Sequence, residues 1–153
     1  MDSRLFCEYK FKFYINASHS IIIGGRQGDV HPHTWEILLD ILVQKDAFMA
    51  FNDYEKVAHD FFAQYQDCVF NDIKPFDTLM PTLENIVDYF GGELRGLMKD
   101  VGGTLMKIEG SETPTRSYGV SYIKDDEFIT DVGERTGEAL DQVIDDMLQR
   151  VLD

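Results

Sequence analysis

The chain opens on a period-two alternation: Leu5, Cys7, Tyr9, Phe11, Phe13 and Ile15 alternate with Phe6, Glu8, Lys10, Lys12 and Tyr14. Side chains of a strand point to opposite faces in turn, so this pattern predicts a long strand over residues 5–17. A glycine-containing loop follows, Ile23-Gly24-Gly25-Arg26-Gln27-Gly28-Asp29, and residues 33–43, rich in Trp, Ile and Leu, supply a second strand able to pair with the first as a hairpin. The period then changes. Asn52 or Asp53 is placed to cap a helix whose apolar positions are Val57, Ala58, Phe61, Phe62 and Tyr65. Pro81-Thr82-Leu83-Glu84 opens another, with Thr82 as its cap and Ile86, Val87, Tyr89, Phe90, Leu94, Leu97 and Met98 as its apolar face. Gly102-Gly103 turns the chain into a strand over 104–109, and 117–123 reads as the fourth strand. The order strand, strand, helix, helix, strand, strand predicts an α+β domain, a four-stranded antiparallel sheet with two helices on one face. Beyond it, Ala139, Leu140, Val143, Ile144, Met147, Leu148, Val151 and Leu152 form the stripe of an additional C-terminal amphipathic helix. The expected division is a domain over residues 1–124 and an acidic extension over 125–153.

The 153 residues suit one such domain, and an apolar fraction of 44% suffices for a core. No run approaches the ~18 apolar residues of a membrane span, and the N-terminus lacks the apolar block of a signal peptide, so a cytoplasmic protein is expected. The formal net charge of −14 repels phosphate backbones and argues against nucleic acid as a partner. Residues 124–153 carry ten acids against three bases, net −7, half of the total. The terminal helix must bury its stripe on its own domain, on another copy, or on a partner protein. Cys7 and Cys68 have no metal or disulfide spacing; Cys7 reads as a small core residue.

Three of the four histidines fall within fifteen positions. His19 ends the first strand and His31-Pro32-His33 opens the second, so a hairpin brings all three imidazoles to one end of the sheet. Two histidines two residues apart on a strand share a face. Three neutral imidazoles with a fourth position open have the ligand set of a catalytic zinc site. Spacing alone leaves a second reading open, surface or core histidines with ordinary partners.

The order Phe11-x-Phe13-x-x-x-Ala17-Ser18-His19, then His31-Pro32-His33, Pro81-Thr82-x-Glu84-Asn85 and Glu112-Thr113 resembles the 6-pyruvoyltetrahydropterin synthase / 6-carboxytetrahydropterin synthase family over about residues 5–123. That family carries an F-x-F-x-A-x-H strand, an H-G-H pair, a P-T-x-E-N helix start and a late pterin-anchoring Glu. The resemblance implies zinc on His19, His31 and His33, and a reduced pterin anchored by Glu112 with Thr82 and Glu84 lining its pocket. It also implies the tunnelling fold (T-fold), in which protomers assemble into a barrel, commonly a hexamer, with sites between them. Zinc in that family acts as a Lewis acid on the side chain of a dihydropterin triphosphate.

The departures bear on activity. The family's proton-transfer Cys, four residues before the histidine pair, is Gln27, and Pro32 replaces the Gly between the histidines. The family's D-H-x-x-L-N motif falls on Gln66 and Asp67, or on Asp67 and Cys68, and neither alignment restores a histidine. An amide cannot titrate at neutral pH, and losing an acid–base group costs about 10²–10⁴ in rate. Asp67 and Asp29 are the carboxylates near the predicted metal that remain as candidate bases. The sequence therefore carries three functions forward: a zinc-dependent lyase-type pterin synthase; a zinc- and pterin-binding homologue without turnover that serves as a sensor or partner subunit; and an assembly protein whose histidines hold metal for structure while the acidic C-terminal helix recruits another protein.

Overall fold

A computed structural model describes residues 6–44 and 51–152, with residues 138–140 and 142–143 described by their backbone alone. Strand β1 is Phe6–His19, and Leu5, where the sequence starts it, lies outside the described residues. Two short strands, β2 (Ile22–Ile23) and β3 (Arg26–Gln27), form a small hairpin over Gly24 and Gly25, whose φ angles of 59° and 77° favour glycine. Strand β4, His31–Gln44, returns antiparallel along the whole of β1. Helix α1 is Phe51–Ala63, so Asn52 and Asp53 lie inside its first turn rather than before it. Helix α2 is Leu83–Asp100, capped as expected by Thr82, whose hydroxyl accepts from the Asn85 amide at 3.1 Å. Strands β5 (Gly103–Thr113) and β6 (Arg116–Ser121) complete a sheet of order β1-β4-β5-β6.

The register explains the core. Ile15 pairs with Trp35 and Phe13 with Ile37, and on the face covered by the helices Phe11, Ile15, Trp35, Ile37, Leu39 and Ile41 are buried. The helices meet them with Phe62, Val87, Phe90 and Leu94, in a cluster rich in edge-to-face aromatic contacts. Cys7 is half-buried against this cluster rather than enclosed in it. Between β4 and β5 the pairing steps from Ile41–Leu105 to Asp40–Lys107, so Met106 is an extra residue, a β-bulge. The bulge shifts the parity of β5, and Ile108 and Gly110 then face the helices.

Helix α3 is Asp126–Leu152, thirteen residues longer at its start than the apolar stripe from Ala139 suggests. The added half docks through polar groups that periodicity does not register. Asp125 accepts from the Phe128 amide at 3.2 Å, Phe128 is buried, and Asp131 accepts from Thr104 and from Arg135. Arg135 also donates to the carbonyls of Gly102 and Gly103. No helix among the described residues is long and apolar enough to cross a membrane.

Candidate metal centre

Register builds the centre. His19 pairs with His31 and Ala17 with His33, and residues 31, 33 and 35 alternate onto the same face of β4. All three imidazoles therefore sit at one end of the core face, above Trp35, whose indole N–H is fixed on the Ala17 carbonyl at 3.0 Å. Their ring centroids are 4.6, 5.1 and 4.8 Å apart, and one nitrogen of each lies within 4.8 Å of the others. A tetrahedral zinc would need these nitrogens about 3.3 Å apart.

Second partners orient two of the rings. His19 Nδ1 lies 2.7 Å from the Pro81 carbonyl and His31 Nδ1 lies 2.9 Å from the Asp29 carbonyl. A carbonyl only accepts, so each Nδ1 carries a proton, and Nε2 is the nitrogen each ring has left to offer a metal. Burial pushes the His19 pKa down, only partly opposed by Pro81 and Glu112, which keeps this imidazole neutral as a metal ligand requires. His19 Nε2 is buried without a hydrogen-bond partner. Glu112 Oε2 approaches it at 3.5 Å and approaches His33 Nε2 at 3.8 Å. A lone pair facing a carboxylate oxygen is unfavourable unless a proton or cation lies between them. The donor set, its tautomers and this orphaned nitrogen fit a cation at the three imidazoles.

A cleft of about 550 Å³ adjoins His19 and gathers the predicted pocket residues Thr82, Glu84 and Glu112, together with Arg116, Ser117 and Tyr118. Glu112 reaches it from the end of β5, where the pairing with β6 shifts between Gly110 and Thr113 and its carboxylate lies beside His19 and His33. Asp67 lies elsewhere, in a separate cleft of about 410 Å³ with His33, Asn16 and Cys68 that shares no lining residue with the first. Its φ of 59° marks it as a left-handed turn residue, and its amide donates to the Asn16 carbonyl at 2.6 Å. Asp29 is exposed and serves His31 through its backbone carbonyl.

The glutamines at the relay positions make structural hydrogen bonds instead. Gln66 accepts from the Asn16 amide at 3.0 Å and donates to the Tyr14 carbonyl at 2.8 Å, a donor–acceptor pair that a carboxylate could not supply. Gln27 donates to the Ser20 hydroxyl. Burial pushes the Cys68 thiol up to about 11, so it carries no thiolate at neutral pH. His59 is exposed on α1, away from the other three. Sequence reasoning missed Arg116, the only Lys or Arg among the described residues lining the larger cleft, and the Pro81 carbonyl. The first carries a signal, an Arg directly after Glu112-Thr113-Pro114-Thr115 in an acid-rich chain; the second is a main-chain group and carries none.

A four-stranded antiparallel sheet with helices on one face and three imidazoles at the end of that face defines an α+β protein of the T-fold class. The chain belongs to the 6-pyruvoyl tetrahydropterin synthase family, whose model matches residues 8–122. Among solved structures it is similar to the 6-pyruvoyl tetrahydropterin synthase of Caenorhabditis elegans, with a TM-score of 0.66 and 16% identity over 79% of this chain and 99% of that one. The Plasmodium falciparum 6-pyruvoyl tetrahydropterin synthase is similar at a TM-score of 0.56, with 16% identity over 76% and 98% of the two chains. An uncharacterized protein from Wolinella succinogenes is similar at 0.57, with 14% identity over 77% and 99%. No curated protein matches the chain.

Proposed function

We propose that this protein holds one zinc ion on His19, His31 and His33 and binds a reduced pterin of the dihydroneopterin triphosphate type in the adjoining cleft. The observation that carries the reading is the buried, partnerless His19 Nε2 beside Glu112, at the mouth of a cleft that also holds Thr82 and Glu84. Glu112 grips the amino-pyrimidine edge of the ring, the paired hydrogen-bonding mode that a carboxylate offers to any fork of two N–H donors. Thr82 and Glu84 border the ring from the first turn of α2, and Arg116 faces the anionic side chain of the ligand. Bound zinc supplies Lewis-acid polarisation of the pterin's side-chain oxygens. Asp67 or Asp29 then serves as the base of a lyase-type reaction. The protomers assemble as a homo-oligomer, a hexamer by family likeness, which allows Asp67 of one copy to approach the cleft of another.

A second reading is favoured by the amides at the relay positions. Gln66 and Gln27 are committed to Asn16, Tyr14 and Ser20, and Cys68 does not ionise near neutral pH. On this reading the protein retains metal and pterin without turnover, as a sensor or partner subunit.

One experiment separates the two. The purified chain is analysed for zinc and incubated with dihydroneopterin triphosphate while pterin products are followed by chromatography. One zinc per chain, lost in His31→Ala, is expected under both readings. A new pterin product supports the enzyme, and unchanged substrate with saturable pterin binding supports the second reading. Absence of zinc from protein purified without chelator, with none taken up on addition, overturns both.

A further inference from the structure

The family model matches residues 8–122, and the Caenorhabditis elegans enzyme is covered over 99% of its length by 79% of this chain. Helix α3 is therefore additional to the shared fold. Its first turns are anchored through Phe128, Asp131 and Arg135. From Asp141 onward every described side chain is exposed. This distal half carries Ile144, Met147, Leu148, Val151 and Leu152, between 53% and 82% exposed. Their spacing of three and four residues places them along one helical face, a contiguous apolar stripe of the kind that marks an interaction surface.

Charge selects among its occupants. Asp141 and Asp145 lie beside the stripe, and the segment from Lys124 onward has a net charge of −7 in a chain of −14. A second copy would set acid against acid, and an anionic membrane surface would be repelled. A stripe with helical spacing matches a partner read in the same spacing, ridge into groove. We propose that the distal half of α3 docks an amphipathic helix of another protein whose apolar stripe is bordered by Lys or Arg. The site is separate from the metal centre, and the inference stands whether or not the protein turns over a pterin.

The test uses the full chain and three fluorescein-labelled synthetic helices of about five turns. One has a leucine stripe bordered by lysines, one the same stripe bordered by glutamates, and one the lysine composition in scrambled order. Anisotropy titration at physiological salt is expected to give saturable binding of the first, at least about tenfold tighter than of either control. The triple substitution Met147→Ser, Leu148→Ser, Val151→Ser is expected to weaken that binding at least about tenfold. It should leave the zinc content and the circular dichroism of the helix unchanged. Equal binding of the scrambled lysine peptide, or indifference to the triple substitution, overturns the proposal. So does a fall in sedimenting mass on triple substitution, which would assign the stripe to a second copy. Stripe-dependent binding to vesicles of phosphatidylcholine with phosphatidylserine would overturn it in favour of a membrane.

Discussion

Glu112 faces two chemistries at once, two imidazole nitrogens on one side and the cleft on the other. If it anchors the ring, Glu112→Gln replaces a charged acceptor by an amide that presents one oxygen and one N–H to the same two donors. Hydrogen bonds to charged groups contribute about 1.5–3 kcal/mol, so pterin affinity is expected to fall about 10- to 150-fold. Zinc content should hold, because the three histidines are untouched. Fluorescence titration of the pterin beside metal analysis checks this, and a parallel loss of zinc would make Glu112 a metal ligand instead. At this scale the histidines were legible because strand parity converts spacing directly into a shared face. The roles of Gln66 and Gln27 were only half legible: sequence shows that they cannot titrate, while their service to the edge of β1 and to Ser20 depends on which chain segments lie alongside.

Gly110 shows how tightly α2 lies on the sheet. A Cβ there would overlap the Val87 side chain and lie 3.3 Å from Ile37 Cδ1, so the absence of a side chain sets the closeness of helix and strand. Gly110→Ala overpacks this seam, and such insertions cost about 1–3 kcal/mol. Adding Val87→Ala to that variant should return part of the loss, although Val87→Ala alone is destabilising. Urea unfolding of both single variants and the pair measures the coupling, and strict additivity would show that the seam yields elsewhere. Glu112 follows Gly110 by two residues on β5, so displacement of the seam should also weaken pterin binding. The four main strands and α2 were legible because amphipathic alternation and capping are local. The bulge at Met106 was not, since nothing in Thr104-Leu105-Met106-Lys107 marks an extra residue until β4 is laid beside it. The first half of α3 was hidden for a different reason: its anchors are Asp131 and Arg135, which read as solvated charges.

The whole molecule poses the question of where its domain ends. Of the buried apolar side chains described, only Phe128 comes from α3, so the core closes almost completely without that helix. We expect a chain ending at Lys124 to fold. It would lose the burial of Phe128, about 2–3 kcal/mol, and Arg95 would lose Asp125 at 2.7 Å and Glu127 at 3.4 Å while keeping its place over the Tyr122 ring. For a domain of this size each kcal/mol corresponds to about 3–5 °C, so the melting temperature should fall by about 5–15 °C. The shortened chain sheds all ten acids that follow Lys124 and keeps His19, His31, His33 and Glu112. Zinc content and pterin affinity should therefore match those of the full chain, while binding of a basic amphipathic helix disappears. Differential scanning calorimetry, metal analysis and the peptide titration on one preparation test all three at once. An insoluble or zinc-free product would make α3 an integral part of the domain and move its boundary past residue 124. A soluble, zinc-loaded one would make the extension a separate functional unit on a family fold complete without it.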